Sequence, residues 1–197
     1  MAKLKFPYPR DIFCIEGKWQ FYDPTDRATV KHVLDLLEDL GVVKKPIYRR
    51  PFTLPELEEH LQTWCQKKCA PYSMGYLAFH GEPFEIYLDG KTAVSLDDIA
   101  ETLDGKGCGR FIHFSSCATL DVHKAHLKRF LKVSGCSMVT GYTHPNVDWV
   151  DTAAFETMLF RDLQMRSTPK GCEAYMKQFH RRAWALGQKL GFRMAYL

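Results

Sequence analysis

The sequence predicts an α/β fold, a three-layer α/β/α sandwich on a mostly parallel sheet, and three observations lead there. Short apolar runs of strand length alternate with segments of helical periodicity along the 197 residues. Turn signals, not linkers, repeats or low-complexity tracts, separate these segments, so 1–197 reads as a single domain. Hydrophobic residues make up 46% of the chain and charged residues 25%, an ordinary globular balance with room for a real core, and the alternation itself implies a sheet covered on both faces by helices.

The elements follow in order. Asp11 to Ile15 is a buried-strand run that stops at Glu16-Gly17. A helix capped by Asp26 or Thr29 runs to Leu40, with Val30, Val33, Leu34, Leu37 and Leu40 on one face and Gly41 as its stop. Lys45 to Tyr48 is a short second strand. Thr53-Leu54-Pro55-Glu56 has the spacing of a capping box with proline in the first turn, and Leu57, Leu61 and Trp64 form the apolar stripe of the helix it opens. Tyr72 to Phe79 is a third strand, ending at His80-Gly81. Phe84 to Leu88 and Lys91 to Val94 flank Asp89-Gly90, a hairpin signal. Ser95 and Asp98 form a second capping box for a helix through Leu103. Arg110 to Ser116 is a strand delivering Cys117; a helix over 122–133 and a strand over 137–142 follow. Helices over 151–165 and 172–190, split by Ser167-Thr168-Pro169, and a last strand over 192–196 complete the chain. Met158, Leu163, Phe179, Trp184, Leu186 and Leu190 read as core packing.

Composition narrows the function classes. The net charge of +4 is scattered, and the densest basic run, Lys44, Lys45, Arg49 and Arg50, is a solvated face and no nucleic-acid stripe. No stretch approaches the roughly 18 apolar residues of a membrane span, and Met1 to Phe6 lacks a signal-peptide core. Seven irregularly spaced cysteines do not suggest a disulfide framework. The expectation is a cytoplasmic protein without cofactor, nucleic-acid partner or membrane partner.

In parallel sheets ligands bind beyond the carboxyl ends of the strands. Two reactive residues fall at such exits: His80 after Gly75-Tyr76-Leu77-Ala78-Phe79, and Cys117 after Phe111-Ile112-His113-Phe114-Ser115-Ser116. On adjacent parallel strands they emerge at one edge. A free thiol has a pKa near about 8.5, so it needs a neighbouring imidazole to become an effective nucleophile at neutral pH. The amides of Gly81 and Cys117 are candidate donors to a developing oxyanion. Taken alone, a cysteine at a strand end is usually a buried structural residue.

The stretch Gly75 to Thr119, with its apolar strand, His80-Gly81, hairpin, Val94-Ser95-Leu96-Asp97-Asp98-Ile99-Ala100 and strand to Ser115-Ser116-Cys117, resembles the core of caspase-like cysteine peptidases, in particular the bacterial CHAT-type branch. Gly141-Tyr142 and Asp148-Trp149-Val150-Asp151 resemble that group's loop after the cysteine. The similarity spans roughly 72–163. It implies a caspase-like sandwich with His80 as general base, Cys117 as nucleophile and an oxyanion hole from Gly81 and Cys117. It also implies an acidic wall for a basic substrate residue at Asp151 or else Asp148; Asp151 equally suits a helix cap. The sequence departs from the family where Ala118-Thr119-Leu120 replaces a small or glycine residue, and the Trp–Asp spacing of the later loop is short.

Glu16, with Gly17 and Trp19, lies at the predicted site edge as a candidate substrate contact, as does Ser116. His113, roughly 13 Å along the strand from Cys117, is too far to serve the thiol and reads as a buried, hydrogen-bonded histidine. Cys65 with Cys69, and His123 with His126, offer two ligands each where structural zinc takes four, so no metal is expected. The partner expected is a protein or peptide substrate, with control by a regulatory protein, dimerisation or self-cleavage. The alternatives are a caspase-like interaction module that does not cut, and a flavodoxin-like ligand-binding domain, for which no Gly-x-Gly-x-x-Gly follows any strand.

Overall fold

Side chains alternate across each central strand, and this alternation builds two cores. The computed structural model describes residues 11–23, 25, 27–164, 179 and 182–196. In chain order the elements are β1 (Ile12–Glu16), α1 (Lys31–Asp39), β2 (Ile47–Arg49), α2 (Leu54–Trp64), β3 (Met74–Ala78), β4 (His80–Glu82), β5 (Glu85–Tyr87), β6 (Ala93–Ser95), α3 (Leu96–Leu103), β7 (Phe111–Ser115), α4 (Lys124–Ser134), β8 (Met138–Tyr142), α5 (Trp149–Gln164), α6 (Trp184–Leu190) and β9 (Phe192–Tyr196). The main sheet runs β2-β1-β3-β7-β8-β9, all parallel except β9. Ile12, Cys14, Met74, Tyr76 and Phe111 face α1, α5 and α6; Phe13, Ile15, Leu77, Ile112 and Phe114 face α2, α3 and α4. Helices therefore cover both faces, as the α/β/α expectation requires.

The local signals form as read. Thr53 accepts from the Glu56 amide while the Glu56 carboxylate accepts from Thr53, and Ser95 and Asp98 make the same reciprocal pair. Ser95→Ala leaves the Asp98 amide without its cap and is expected to lower stability by about 1 kcal/mol, measured as a shift of the urea midpoint at unchanged slope. The Asp89-Gly90 turn joins β5 and β6, with Leu88 donating to Thr92.

Four details differ from expectation. The third strand ends at Ala78, and His80 begins a new strand, β4, in a separate three-stranded sheet with β5 and β6. Phe79 still donates to Ser115, after which the chain leaves the main sheet. At the start of α1 the cap position is Val30, which makes no side-chain cap bond; Thr29, one residue earlier, accepts from the Lys31 amide at Oγ1, and Asp26 lies outside the described residues. Leu40 falls past the last turn of α1 and is 60% exposed. Trp184, expected in the core, is 50% exposed at the start of α6, while Leu163, Phe179 and Leu190 are buried. The Ser167-Thr168-Pro169 break and the helix start at 172 lie outside the described residues.

Candidate functional site

β3 and β7 are adjacent and parallel, with Ala78 opposite Ser115, so the segments leaving them, His80-Gly81 and Ser116-Cys117, emerge side by side. The approach is so close that a Cβ on Gly81 would lie 2.7 Å from the Cys117 carbonyl oxygen and 2.3 Å from Thr119 Oγ1. Glycine is required there for that reason. The turn carrying Cys117 is fixed on both sides. Ala118 donates to the His144 carbonyl at 2.8 Å, Leu120 to Tyr142 at 3.0 Å, and Thr119 Oγ1 bonds Ser116 Oγ at 2.7 Å and the Glu85 carbonyl at 3.1 Å. From β9, Arg193 donates to the carbonyls of Leu120 and Val122.

Ala118, directly after the cysteine, has φ +52°, in the left-handed region where a Cβ is strained. Alanine, the smallest side chain short of glycine, stands at this position. The Cys117 amide donates to no protein acceptor among the described residues. Its thiol is half-buried and unbonded.

The His80 ring is held from three directions. Its Nε2–H donates to the Trp19 carbonyl, since a carbonyl can only accept, which leaves Nδ1 as the basic nitrogen of the neutral ring. Trp19 packs edge-on against the ring at 5.3 Å and Phe21 lies at 5.0 Å. Trp149 meets Trp19 at 4.8 Å. Glu16 fixes Trp19 in turn. Its wholly buried carboxylate accepts from Trp19 Nε1, the Val30 amide at 2.7 Å, Thr29 Oγ1 at 2.7 Å and the Tyr48 hydroxyl.

His80, Ser116 and Cys117 open onto a cavity of about 170 Å³ on the α1/α5 side of the sheet. Its apolar lining is Trp19, Val30, Val33, Phe79, Val147, Trp149 and Ala153, and Ser115 and Thr152 add hydroxyls. Its floor includes Glu156, a residue with no role in the sequence reading. Both carboxylate oxygens are engaged: Oε1 accepts from His113 Nε2 at 2.9 Å and from the Tyr142 hydroxyl at 3.0 Å, and Oε2 accepts from the Tyr76 hydroxyl. His113 Nδ1 bonds Thr140 Oγ1 at 2.8 Å. Tyr76, His113 and Thr140 stand opposite one another on β3, β7 and β8, so the network is a row across the sheet centre, capped by one helix residue. One sign of Glu156 was available in the sequence: it interrupts the apolar stripe of α5 at Phe155, Leu159, Phe160 and Leu163.

The cavity brings together His80, Ser116 and Cys117, with Gly81 packed against the cysteine turn. It excludes three carboxylates expected to serve substrate. Glu16 is buried behind Trp19 and satisfied by four donors. Asp148, not Asp151, caps α5, its Oδ1 accepting from the amides of Val150 and Asp151 at 2.9 Å each. Asp151 pairs with Lys189 on α6, which raises the lysine's pKa. The cap and the ion pair occupy these two carboxylates, and neither residue lines the cavity.

His123 Nδ1 caps α4, accepting from the Ala125 amide, and His126 meets Phe84 edge-on at 5.3 Å. Among the described residues no three or more of His, Cys, Asp and Glu are grouped to hold a metal, and no helix is long and apolar enough to cross a membrane.

Caspase-1 from Spodoptera frugiperda has a similar structure, with a TM-score of 0.50 over 80% of this chain and 78% of that one, at 10% sequence identity. At that identity the likeness establishes a shared, caspase-like fold. No curated protein matches the sequence. A family model does, over residues 9–196, and the chain therefore belongs to DUF6642, a family of unknown function.

Proposed function

We propose that this protein is a cysteine endopeptidase of the caspase-like kind, kin to the CHAT-type branch, in which Cys117 is the nucleophile and His80 the general base. The observation that carries the reading is the convergence of His80 and Cys117 on one cavity beyond the ends of the two central strands. His80 Nδ1 takes the thiol proton, and the sulfur attacks the scissile carbonyl. The oxyanion that forms is met by the amides of Cys117 and Gly81. As the C–N bond breaks, His80 returns the proton to the leaving amine, and water then hydrolyses the thioester. The Trp19 carbonyl keeps the imidazole in the required tautomer and stabilises it when protonated. Ser116 acts as a wall of the substrate cleft.

The test is the rate at which an acyl-peptidyl chloromethyl ketone modifies each cysteine, followed by mass spectrometry of peptides. Cys117 is expected to react far faster than the exposed Cys108. His80→Ala should slow Cys117 by about 10²- to 10⁴-fold while circular dichroism stays unchanged. Equal rates for Cys108 and Cys117, or indifference to His80→Ala, would leave a caspase-like module that binds without cutting.

A further inference from the structure

The cavity beside Cys117 has the wrong lining for a charged side chain. Beyond the catalytic edge its lining is mainly apolar, with Trp19, Val30, Val33, Val147, Trp149 and Ala153 beside the small hydroxyls of Ser115 and Thr152. Asp148 and Asp151, the acids nearest in sequence to a basic-residue pocket, are committed to the α5 cap and to Lys189. Glu156 is at the floor, but His113, Tyr76 and Tyr142 already occupy its oxygens, so a lysine or arginine head would have to displace a buried donor to reach it. An ion placed there without a partner loses its hydration uncompensated. An aspartate or glutamate would fare worse, because no lysine or arginine lines the cavity and the Glu156 carboxylate repels it.

Size points the same way. An apolar protein cavity of about 150 Å³ accommodates benzene, and this one, at about 170 Å³, suits the side chain of leucine, methionine or phenylalanine. Because Cys117 and His80 are themselves part of the wall, whatever fills the cavity sits directly beside the attacked carbonyl.

We infer that the enzyme cleaves after a large apolar residue, whose side chain fills the cavity between Trp19, Val33 and Val147. The inference rests on the peptidase reading and adds the substrate class to it. The specificity follows from burial of about one aliphatic or aromatic side chain, and pockets of this kind discriminate by tens- to hundreds-fold.

Two arms separate this inference from the reading beneath it. In the first, chloromethyl ketones differing only in the residue next to the warhead (Leu, Phe, Lys, Asp) react with the full chain. Cys117 modification is expected at least tenfold faster with Leu and Phe, and Val147→Glu, in a half-buried loop position, should move the preference toward Lys. Equal or faster reaction with Lys or Asp overturns the inference and leaves the peptidase intact. In the second, Cys117→Ala protein is titrated with the N-acetyl amides of the same four residues while the indole N–H resonances of Trp19 and Trp149 are followed by NMR. Shifts with the Phe and Leu amides alone support the apolar pocket even if no electrophile reacts. Shifts with the Lys or Asp amide of equal size, or none with any, overturn it. Failure of all four electrophiles at Cys117, together with apolar-selective shifts, sinks the peptidase reading alone.

Discussion

Glu156→Ala is expected to cost about 3–5 kcal/mol, a large part of the roughly 5–15 kcal/mol that holds a domain of this size folded. The carboxylate is wholly buried and gathers three donors from three strands, Tyr76, His113 and Tyr142. Truncation removes no bulk that apolar neighbours could replace and leaves all three donors facing hydrocarbon. Glu156→Gln keeps one acceptor oxygen but turns an amide N–H₂ toward a hydroxyl that has been donating, so it should cost less, about 1–3 kcal/mol. Urea denaturation of the three proteins at neutral pH checks the ordering. A loss below about 1 kcal/mol for alanine would mean that water enters from the cavity and satisfies the donors.

A second large effect is expected in alkali. Burial, with Glu16 and Glu156 adding negative charge nearby, raises the Cys14 thiol well above its ordinary 9.0, and burial raises Cys136 to about 12. Burial and the Glu156 charge likewise raise the Tyr76 and Tyr142 hydroxyls well above 10.0. The folded chain keeps these four protons where the unfolded chain releases them. Bound protons are then fewer in the unfolded state, and stability falls as pH rises. The fall begins near pH 9 with the two thiols and steepens above pH 10 with the tyrosines. Each group contributes about 1.4 kcal/mol per pH unit once its unfolded form is ionised. Two thiols and two tyrosines together reach roughly 5 kcal/mol per unit above pH 10, enough to unfold the domain cooperatively within a unit or two. Tyrosinate absorbance of the buried pair should rise only with the loss of far-ultraviolet dichroism. Stability that stays level from pH 8 to 11 would contradict this account.

The parts of the structure that depend on neighbours in sequence were legible. Thr53 with Glu56, Ser95 with Asp98, and Asp89-Gly90 announce themselves within four residues. That His80 and Cys117 leave the sheet at one edge was legible by a different rule, since parallel topology sends neighbouring strand exits to one edge. What depended on distant partners was not. Glu16 looks like a turn residue until Thr29 and Tyr48, 13 and 32 positions on, close over it. Glu156 shows in the sequence only as a break in an apolar stripe, and nothing there tells that Tyr76, 80 positions earlier, donates to it. The two aspartates of the α5 turn illustrate a narrower difficulty: the cap signal was present, yet the one that caps and the one that pairs with Lys189 stand only three positions apart.

β3 and β7, the strands that deliver the histidine and the cysteine, are the third and fourth of six, with two further strands on either flank. Opening of an outer strand such as β2 or β9 frees its own amides to exchange with solvent but leaves the middle pair bonded on both sides. Deuterium should therefore enter the amides of 74–78 and 111–115 only through global unfolding. Partial fraying at the margins would then be silent in any assay of the thiol, and reactivity would vanish in step with the slowest-exchanging hydrogens of the molecule.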